Sequence, residues 1–356
     1  MKNRNWFLHK KTKKFLFRKV PLNFQKQFEQ NKEFDKKKCK LIIIILLIIH
    51  FQFLINLDLH VFVRKKDNIK VAVCTMGRKE NLYAREFMEY YMKLGVDHMF
   101  IYDNNDSEEK IKNVLDYKYK DKISFYETKI LHMNLQLEAF TDCYKNNFKK
   151  FDWFIMVDMD EFLYIVNDTL KNYLTNKIFD KCDFIKIHWA NTQDNNLIHY
   201  DQRPLFQRFK KPYIKSNFIK TIIRGNITNL KYWVHSPYIS PERNVTCTND
   251  GNIINYKYMN FESIDKINTD KAYLIHFRFK STEEFINKYK RGYNNWHGNR
   301  INQVLQERLD TYLKENGITL EKINYLEREL KLDLSSYKSR IKLNHLKYLN
   351  PKDLIY

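Results

Sequence analysis

Apolar and polar positions change period along the chain, and the change divides it in two. Ile69 to Cys74 reads as a strand that ends in Thr75-Met76-Gly77. Asn81 to Leu94 sets Leu82, Phe87, Tyr90, Tyr91 and Leu94 at helical spacing, and Gly95 stands where a helix C-cap is expected. His98 to Tyr102 is a second strand, closed by the loop composition Asp103-Asn104-Asn105-Asp106-Ser107. A short helix near Glu108 to Leu115, a strand at Ile123 to Tyr126, a helix at Leu135 to Tyr144 and a strand at Trp153 to Val157 follow. This alternation predicts parallel strands with right-handed crossovers. The second half reads differently. Phe184 to Trp189, Phe218 to Arg224, Tyr232 to Val234 and Ala272 to Phe279 look like strands between polar loops. Ser281 to Tyr289 reads as a helix with Ser281 or Thr282 as N-cap and Glu284 near the capping-box position. Residues 302–333 form two charged amphipathic helices.

One stretch lies outside this pattern. Residues 41–57, LIIIILLIIHFQFLINL, hold no Asp, Glu, Lys or Arg, at the short end of the roughly 17–25 residues that span a bilayer. About 40 residues precede it and no small-residue cleavage site follows, which favours a membrane anchor over a cleaved signal. His50, Gln52 and Asn56 weaken the span, and a buried core helix is the alternative. Residues 1–40 hold 14 Lys or Arg against 3 acids. That basic tail predicts a cytoplasmic N-terminus and a body facing a lumen or the exterior. The net charge of +21 suits an anionic partner or compositional drift in a Lys-, Asn- and Ile-rich chain equally well. The organisation expected is a tail at 1–40, the anchor and start of a stem at 41–63, stem at 64–68, a catalytic domain at 69–300 and a helical extension at 301–356.

Cys39 precedes the anchor, which leaves Cys74, Cys143, Cys182 and Cys247 in the body. Their wide spacing makes no small disulfide framework, though an oxidising compartment would allow pairing. No C-x-x-C pair, G-x-G-x-x-G, Walker loop or H-E-x-x-H occurs. Asn105, Asn167, Asn226 and Asn244 begin N-x-S/T sequons, which an Asn-rich chain also produces by chance.

The chemistry sits in FDWFIMVDMDEF, residues 151–162. An apolar strand delivers Asp158 and Asp160 to its end, with Glu161 beside them. Ligands of open α/β sheets bind just past such strand ends. Clustering three carboxylates there is costly, and a divalent cation with hard oxygen ligands, Mg²⁺ or Mn²⁺, resolves the conflict and would hold a diphosphate. An acidic strand end facing solvent is the bland reading. With the two aspartates as metal ligands, removing one of three crowded like charges is expected to relieve repulsion in the metal-free protein rather than weaken the fold.

Three segments together resemble one family. VAVCTMGRKENLYAREFMEYYMKLGVDHMFIYDNND at 71–106 looks like the nucleotide-binding start of a family 2-like glycosyltransferase of the group related to glycosyltransferase family 92. FDWFIMVDMDEF resembles that group's metal-binding Asp-x-Asp motif. HFRFKSTEEFINKYKRG at 276–292 resembles its C-terminal signature. The resemblance implies a GT-A fold, an α/β architecture with a mostly parallel sheet flanked by helices. It implies Asp103 near the nucleoside and Glu80, in Lys-Glu-Asn, as the acidic residue after the first strand. Asp158 and Asp160 would bind Mn²⁺ or Mg²⁺, His276 would complete the metal site, and Lys280, Lys288 and Arg291 would meet phosphate oxygens. His276 suits a core histidine nearly as well, Asp103 a turn residue, and the three basic residues a solvated helix face. The segment 187–196 resembles the acceptor-side loop, with Asn195-Asn196 where Asn-Gly is expected. Asp194 is the candidate base with Glu161 as rival, and His235 is a further metal or acceptor candidate.

The reading expected is a single-pass type II membrane glycosyltransferase of the Golgi or another secretory lumen. It would move a hexosyl or N-acetylhexosaminyl group from a nucleotide-sugar donor to a glycan or glycoconjugate hydroxyl, with inversion and without a nucleic-acid partner. A basic membrane-anchored polyanion binder and a sugar-phosphate transferase are the rivals. A polyanion binder gains nothing from clustered carboxylates.

Overall fold

A computed structural model divides the chain into two units, 1–66 and 67–356. It describes residues 69–105, 108–115, 117–128, 134–233, 235–238, 245–254, 267–290 and 299–338, with a few isolated positions. The tail, the anchor segment, the stem and Arg291 lie outside these. Among the described residues no helix is long and apolar enough to cross a membrane.

The first half builds β1 (Val71–Gly77), α1 (Asn81–Leu94), β2 (His98–Asp103), β3 (Ile123–Glu127), α2 (Leu135–Asn147), β4 (Trp153–Met156), β5 (Glu161–Ile165) and α3 (Leu170–Thr175). Then come β6 (Phe184–Asn191), α4 (Leu205–Arg208), β7 (Tyr213–Arg224), β8 (Lys231–Trp233), β9 (Ser236–Tyr238), β10 (Thr246–Thr248) and β11 (Ile253–Ile254). The chain closes with β12 (Ala272–His276), α5 (Thr282–Lys290), α6 (Asn299–Asn316), α7 (Leu320–Leu330), α8 (Ser335–Lys338) and β13 (Leu354–Ile355).

Among the described residues, eleven strands share one sheet, with the central order β11-β10-β6-β7-β4-β1-β2-β3. Strands β3, β2, β1 and β4 are parallel, as their alternation with helices requires. The long β7 then runs antiparallel between β4 and β6, and β12 pairs parallel with β6 and antiparallel with β5. The carboxyl ends of β1, β2, β4, β6 and β12 therefore gather on one side of a mixed sheet. The alternation in the first half forecasts the parallel part. The antiparallel insertion of β7 comes from the second half.

Helix α1 buries Tyr83, Ala84, Phe87, Met88 and Tyr91 at i, i+3 and i+4 spacing. Leu82, expected on that stripe, instead faces solvent, because the stripe begins one residue later. Gly95 closes the helix at φ 103°, a left-handed conformation that glycine adopts without steric cost. Helix α5 has the expected capping box: the Glu284 amide donates to Ser281 Oγ at 3.2 Å, and the Ser281 amide to Glu284 Oε2 at 3.0 Å.

The C-terminal helices are not an appendage. Phe279, Phe285 and Tyr289 pack with Tyr312, Ile323 and Leu326 in one buried cluster. All four cysteines of the body are paired: Cys74 with Cys143, joining β1 to α2, and Cys182 with Cys247, joining the approach to β6 with β10. The bridged residues lie 69 and 65 apart in sequence. On chain-entropy grounds loops of that size contribute about 4 kcal/mol each.

The end of β7 is tightly built. The Gly225 amide donates to the Asp152 carbonyl at 2.7 Å, and a Cβ at Gly225 would sit 2.0 Å from the Phe151 carbonyl oxygen. A backbone atom cannot swing aside, so Gly225→Ala is expected to cost more than about 2 kcal/mol. Urea melts check this, and a midpoint equal to the parent's would contradict the packing described.

Candidate functional site

Strand β4 is apolar and wholly buried, and it ends against β1, where the Val157 amide donates to the Cys74 carbonyl at 3.2 Å. The chain then turns through Asp158, Met159 and Asp160 into β5. The Asp158 amide donates to Glu161 Oε2 at 2.9 Å, and the Glu161 amide to the Asp158 carbonyl at 3.0 Å, so Glu161 braces the turn from beneath.

Each carboxylate of the turn meets a cation. Lys220 Nζ, buried on β7, lies 2.9 Å from Asp158 Oδ2 and 3.7 Å from Glu161 Oε1. The Gln136 side-chain amide donates to Asp158 Oδ1. Lys288 Nζ lies 2.6 Å from Asp160 Oδ2, and His276 Nε2 lies 3.7 Å from the same oxygen. Burial alone would raise the Asp160 carboxyl, but Lys288 and His276 prevail and hold it well below the usual range. Burial pushes Glu161 well above its usual value, against the pull of Lys220. Burial opposes the charge on Lys220, yet Asp158 and Glu161 keep it above its ordinary value. Burial draws His276 down to about 4 in spite of Asp160, so its ring is neutral and a ring nitrogen keeps a lone pair.

The donor-side candidates fall in two groups. Asp103 is spent on its own loop: Oδ1 accepts from the Asn105 amide at 2.9 Å and Oδ2 from the Ile111 amide at 2.7 Å. It shapes the loop after β2. Glu80, at the N-terminus of α1, lies 3.9 Å from Lys280 Nζ, which sits 4.1 Å from the Tyr83 ring centroid. Lys280 is also close enough to lower Asp160. Below them, Glu284 binds Arg208 at 2.7 and 3.1 Å and accepts from the Tyr83 hydroxyl at 2.5 Å. The structure thus brings Asp158, Asp160, Glu161, His276 and Lys288 together, with Glu80 and Lys280 alongside.

Neither candidate base fits its role. Asp194 is buried with Lys322 Nζ 2.7 Å and the Tyr312 hydroxyl 2.5 Å from its Oδ2, while its Oδ1 accepts from the Asn196 amide at 2.9 Å. It fastens the C-terminal helices to the loop after β6. Glu161 lies under the turn with no exposed surface. The loop itself keeps the shape that Asn-Gly would give, because Asn195 and Asn196 take φ of 50° and 58°, and Asn tolerates the left-handed region. Sequence reasoning missed Lys220, Gln136, Tyr312 and Lys322. The one available signal was a lysine inside the apolar strand Phe218–Arg224.

A third group lies at the ends of β6 and β12. The Trp189 ring sits 4.2 Å from His276, 5.3 Å from His235 and 5.0 Å from Phe218.

Among the described residues no group of three or more His, Cys, Asp or Glu side chains stands ready around a metal position. Asp160 and His276 stand at a separation that two ligands of one cation can have, with Lys288 Nζ on the same oxygen. Two ligands each about 2.1 Å from a metal stand about 3 Å apart at right angles and further when more open, and their 3.7 Å separation falls in that range. Asp158 is turned to Lys220 and reaches solvent with about a third of its side chain.

The sequence profile of glycosyltransferase family 92 matches residues 67–311, which take in the turn, His276, Lys280 and Lys288. The chain belongs to glycosyltransferase family 92. A family 92 protein of Oryza sativa subsp. japonica is 35% identical over 109 residues, covering 30% of this chain and 18% of that protein. One of Ricinus communis is 28% identical over 108 residues, covering 29% of this chain and 19% of that protein. The family 92 match to these two relatives thus spans less than a fifth of either. S. aureus TarS 1–349 in complex with UDP-GlcNAc overlays at a TM-score of 0.32 and 11% identity, over 77% of this chain and 78% of that one. Its complex with UDP gives 0.34 and 13%, over 76% and 78%.

Two tests of this family 92 site follow from its charges. Lys220→Met leaves Asp158 and Glu161 without their cation and is expected to cost about 3 kcal/mol in urea melts, most of it regained in Lys220→Met/Glu161→Leu. A single variant as stable as the parent would deny the pair its role. Burial also holds His188 at about 4 and His235 at about 3. In the unfolded chain they charge near pH 6.5. The folded form is the one that refuses the proton, so stability is full above about pH 6.5. It falls by up to ~1.4 kcal/mol per pH unit for each histidine as the pH drops toward 4. Melts between pH 7 and 5 should show this loss, smaller in His188→Gln. A flat profile contradicts it.

Proposed function

We propose that the chain is a glycosyltransferase that moves one sugar from a nucleoside-diphosphate donor to the hydroxyl of a glycan or glycoconjugate, with inversion. The observation that carries the reading is the meeting of Asp160, His276, Lys288 and Lys280 past the carboxyl ends of β4 and β12. It is supported by family membership. Asp160 and His276 would hold Mn²⁺ or Mg²⁺, which supplies charge neutralisation at the departing diphosphate. Asp158 stands in the same turn, with its oxygens held by Gln136 and Lys220. Lys280 and Lys288 are fixed cations next to it, and they can meet phosphate oxygens whose negative charge grows as the donor bond breaks. Glu80 orients Lys280. Asp103 holds the loop that would border the nucleoside.

The two disulfides favour an oxidising compartment. With the apolar segment 41–57 behind a basic tail, they support a type II anchor with the body in a secretory lumen.

Asp160→Asn tests the reading. Donor consumption with Mn²⁺ is expected to fall on the order of a thousandfold, equivalent to about 4 kcal/mol in the barrier. The structure also revises the expected effect on stability. Asp160 is a paired charge and not a repelled one, so the variant should lose about 1 kcal/mol or more in melts and the stabilisation that Mn²⁺ gives the parent. Near-normal consumption, or a melting temperature indifferent to Mn²⁺ in both proteins, would remove the metal from the reading.

A further inference from the structure

Inverting transfer needs a base at the acceptor side, and the geometry withdraws Asp194 and Glu161 from that role. A different carboxylate stands beside the site. Glu315, near the end of α6, places Oε1 at 3.2 Å from Arg278 Nη1 and Oε2 at 3.4 Å from Asn191 Nδ2. Asn191 ends β6 and is the register partner of His276, as Trp189 is of Leu274. Side chains two apart share a face of a strand. Trp189, Asn191 and His276 therefore line one face at the carboxyl ends of β6 and β12, with Glu315 over its edge. Contacts join this edge to the turn: Arg278 gives its carbonyl to Lys288 at 3.1 Å, and the same ammonium holds Asp160.

A second observation points to a ligand. Trp189 Nε1, Asn191 Oδ1, His235 Nδ1 and His276 Nδ1 are buried and have no hydrogen-bond partner in the protein. Such atoms are uncommon in a finished core, and four on neighbouring side chains call for a shared explanation. Phe218 stacks on the buried Trp189 ring, so a hydroxyl-rich acceptor entering at the strand-end edge would supply both donors and acceptors to these atoms.

We propose that Trp189, Asn191, His235 and His276 form the acceptor subsite and that Glu315 is the catalytic base of the transfer. The proposal rests on the transferase reading above. The acceptor O–H proton passes to a Glu315 carboxylate oxygen while the acceptor oxygen bonds to the anomeric carbon. The bond from that carbon to the diphosphate oxygen breaks, and the nucleoside diphosphate leaves with the electron pair. The proton stays on Glu315 until it is lost to solvent. Burial raises the Glu315 carboxyl above its usual range although Arg278 opposes this, which strengthens it as a base. Arg278 and Asn191 keep it aimed.

The experiment uses the full chain with Mn²⁺ and UDP-glucose, UDP-galactose and UDP-N-acetylglucosamine, with water as acceptor, and then with sodium azide. Azide is an anion that attacks without first losing a proton. Glu315→Gln and Glu315→Ala are expected to lose a hundredfold or more in the rate of donor consumption, with the donor KM within about threefold of the parent's. Azide should restore Glu315→Ala at least tenfold and yield a glycosyl azide of inverted anomeric configuration. It should not restore Asp160→Asn. A purely structural role for Glu315 gives no azide rescue. Variants within threefold of the parent, or a loss that azide leaves untouched, overturn the proposal while parental turnover keeps the transferase reading. A parent that consumes none of the three donors removes both.

Discussion

Burying like charges is among the most expensive things a fold can do, and the turn after β4 sets two buried carboxylates, Asp160 and Glu161, beside a partly exposed third, Asp158. The rest of the site follows from how that cost is met. Lys220 comes from the neighbouring β7, which lies antiparallel against β4. Lys288 must come from α5, which brings the segment after β12 over the turn. Gln136 must come from α2. Sheet, crossover helix and C-terminal segment are thus bound to one point by electrostatics as well as by packing. The two ion pairs differ in character. Lys220 with Asp158 and Glu161 forms the buried floor. Lys288 with Asp160 forms the wall of the site.

The same logic recurs further down the chain. Asp194 sits in the loop after β6, Lys322 in α7 and Tyr312 in α6, and all three are buried against one another. Removing one partner would leave a charge stranded in the interior, so the terminal helices are held to the sheet more strongly than their apolar contacts alone imply. These helices also carry Glu315 to the edge of the site. The boundary expected near residue 300 is a boundary in sequence pattern only. The packing of Phe285 on Tyr312 runs straight across it.

Much of this was legible in the chain. The alternation of apolar runs forecast the parallel strands, Gly95 the end of α1, and Ser281 with Glu284 the start of α5, because each is a local preference written in a few adjacent residues. Asp158, Asp160, His276 and Lys288 were named from motif order, and they do converge. What remained hidden is long-range pairing. Nothing near Asp194 announces Lys322, 128 positions away in the chain, and nothing near Asp103 shows that one of its oxygens goes to a backbone amide eight residues on. Lys220 was concealed by its strand, which reads as an ordinary half-buried element until the turn beside it is seen. Leu82 was misplaced because a helical stripe is set by which face meets the sheet, and a single residue shifts it.

The bridge between Cys74 and Cys143 has a practical side. Cys74 is the residue whose carbonyl receives the chain as β4 passes into the carboxylate turn, and Cys143 lies on the helix that carries Gln136. One covalent link therefore clamps both the strand beneath the turn and the helix that grips Asp158. A host whose cytosol keeps thiols reduced would make this chain without the clamp, and its preparations would differ in the very element that orients the acidic turn. The choice of production host is for this protein a choice about the geometry of its chemistry.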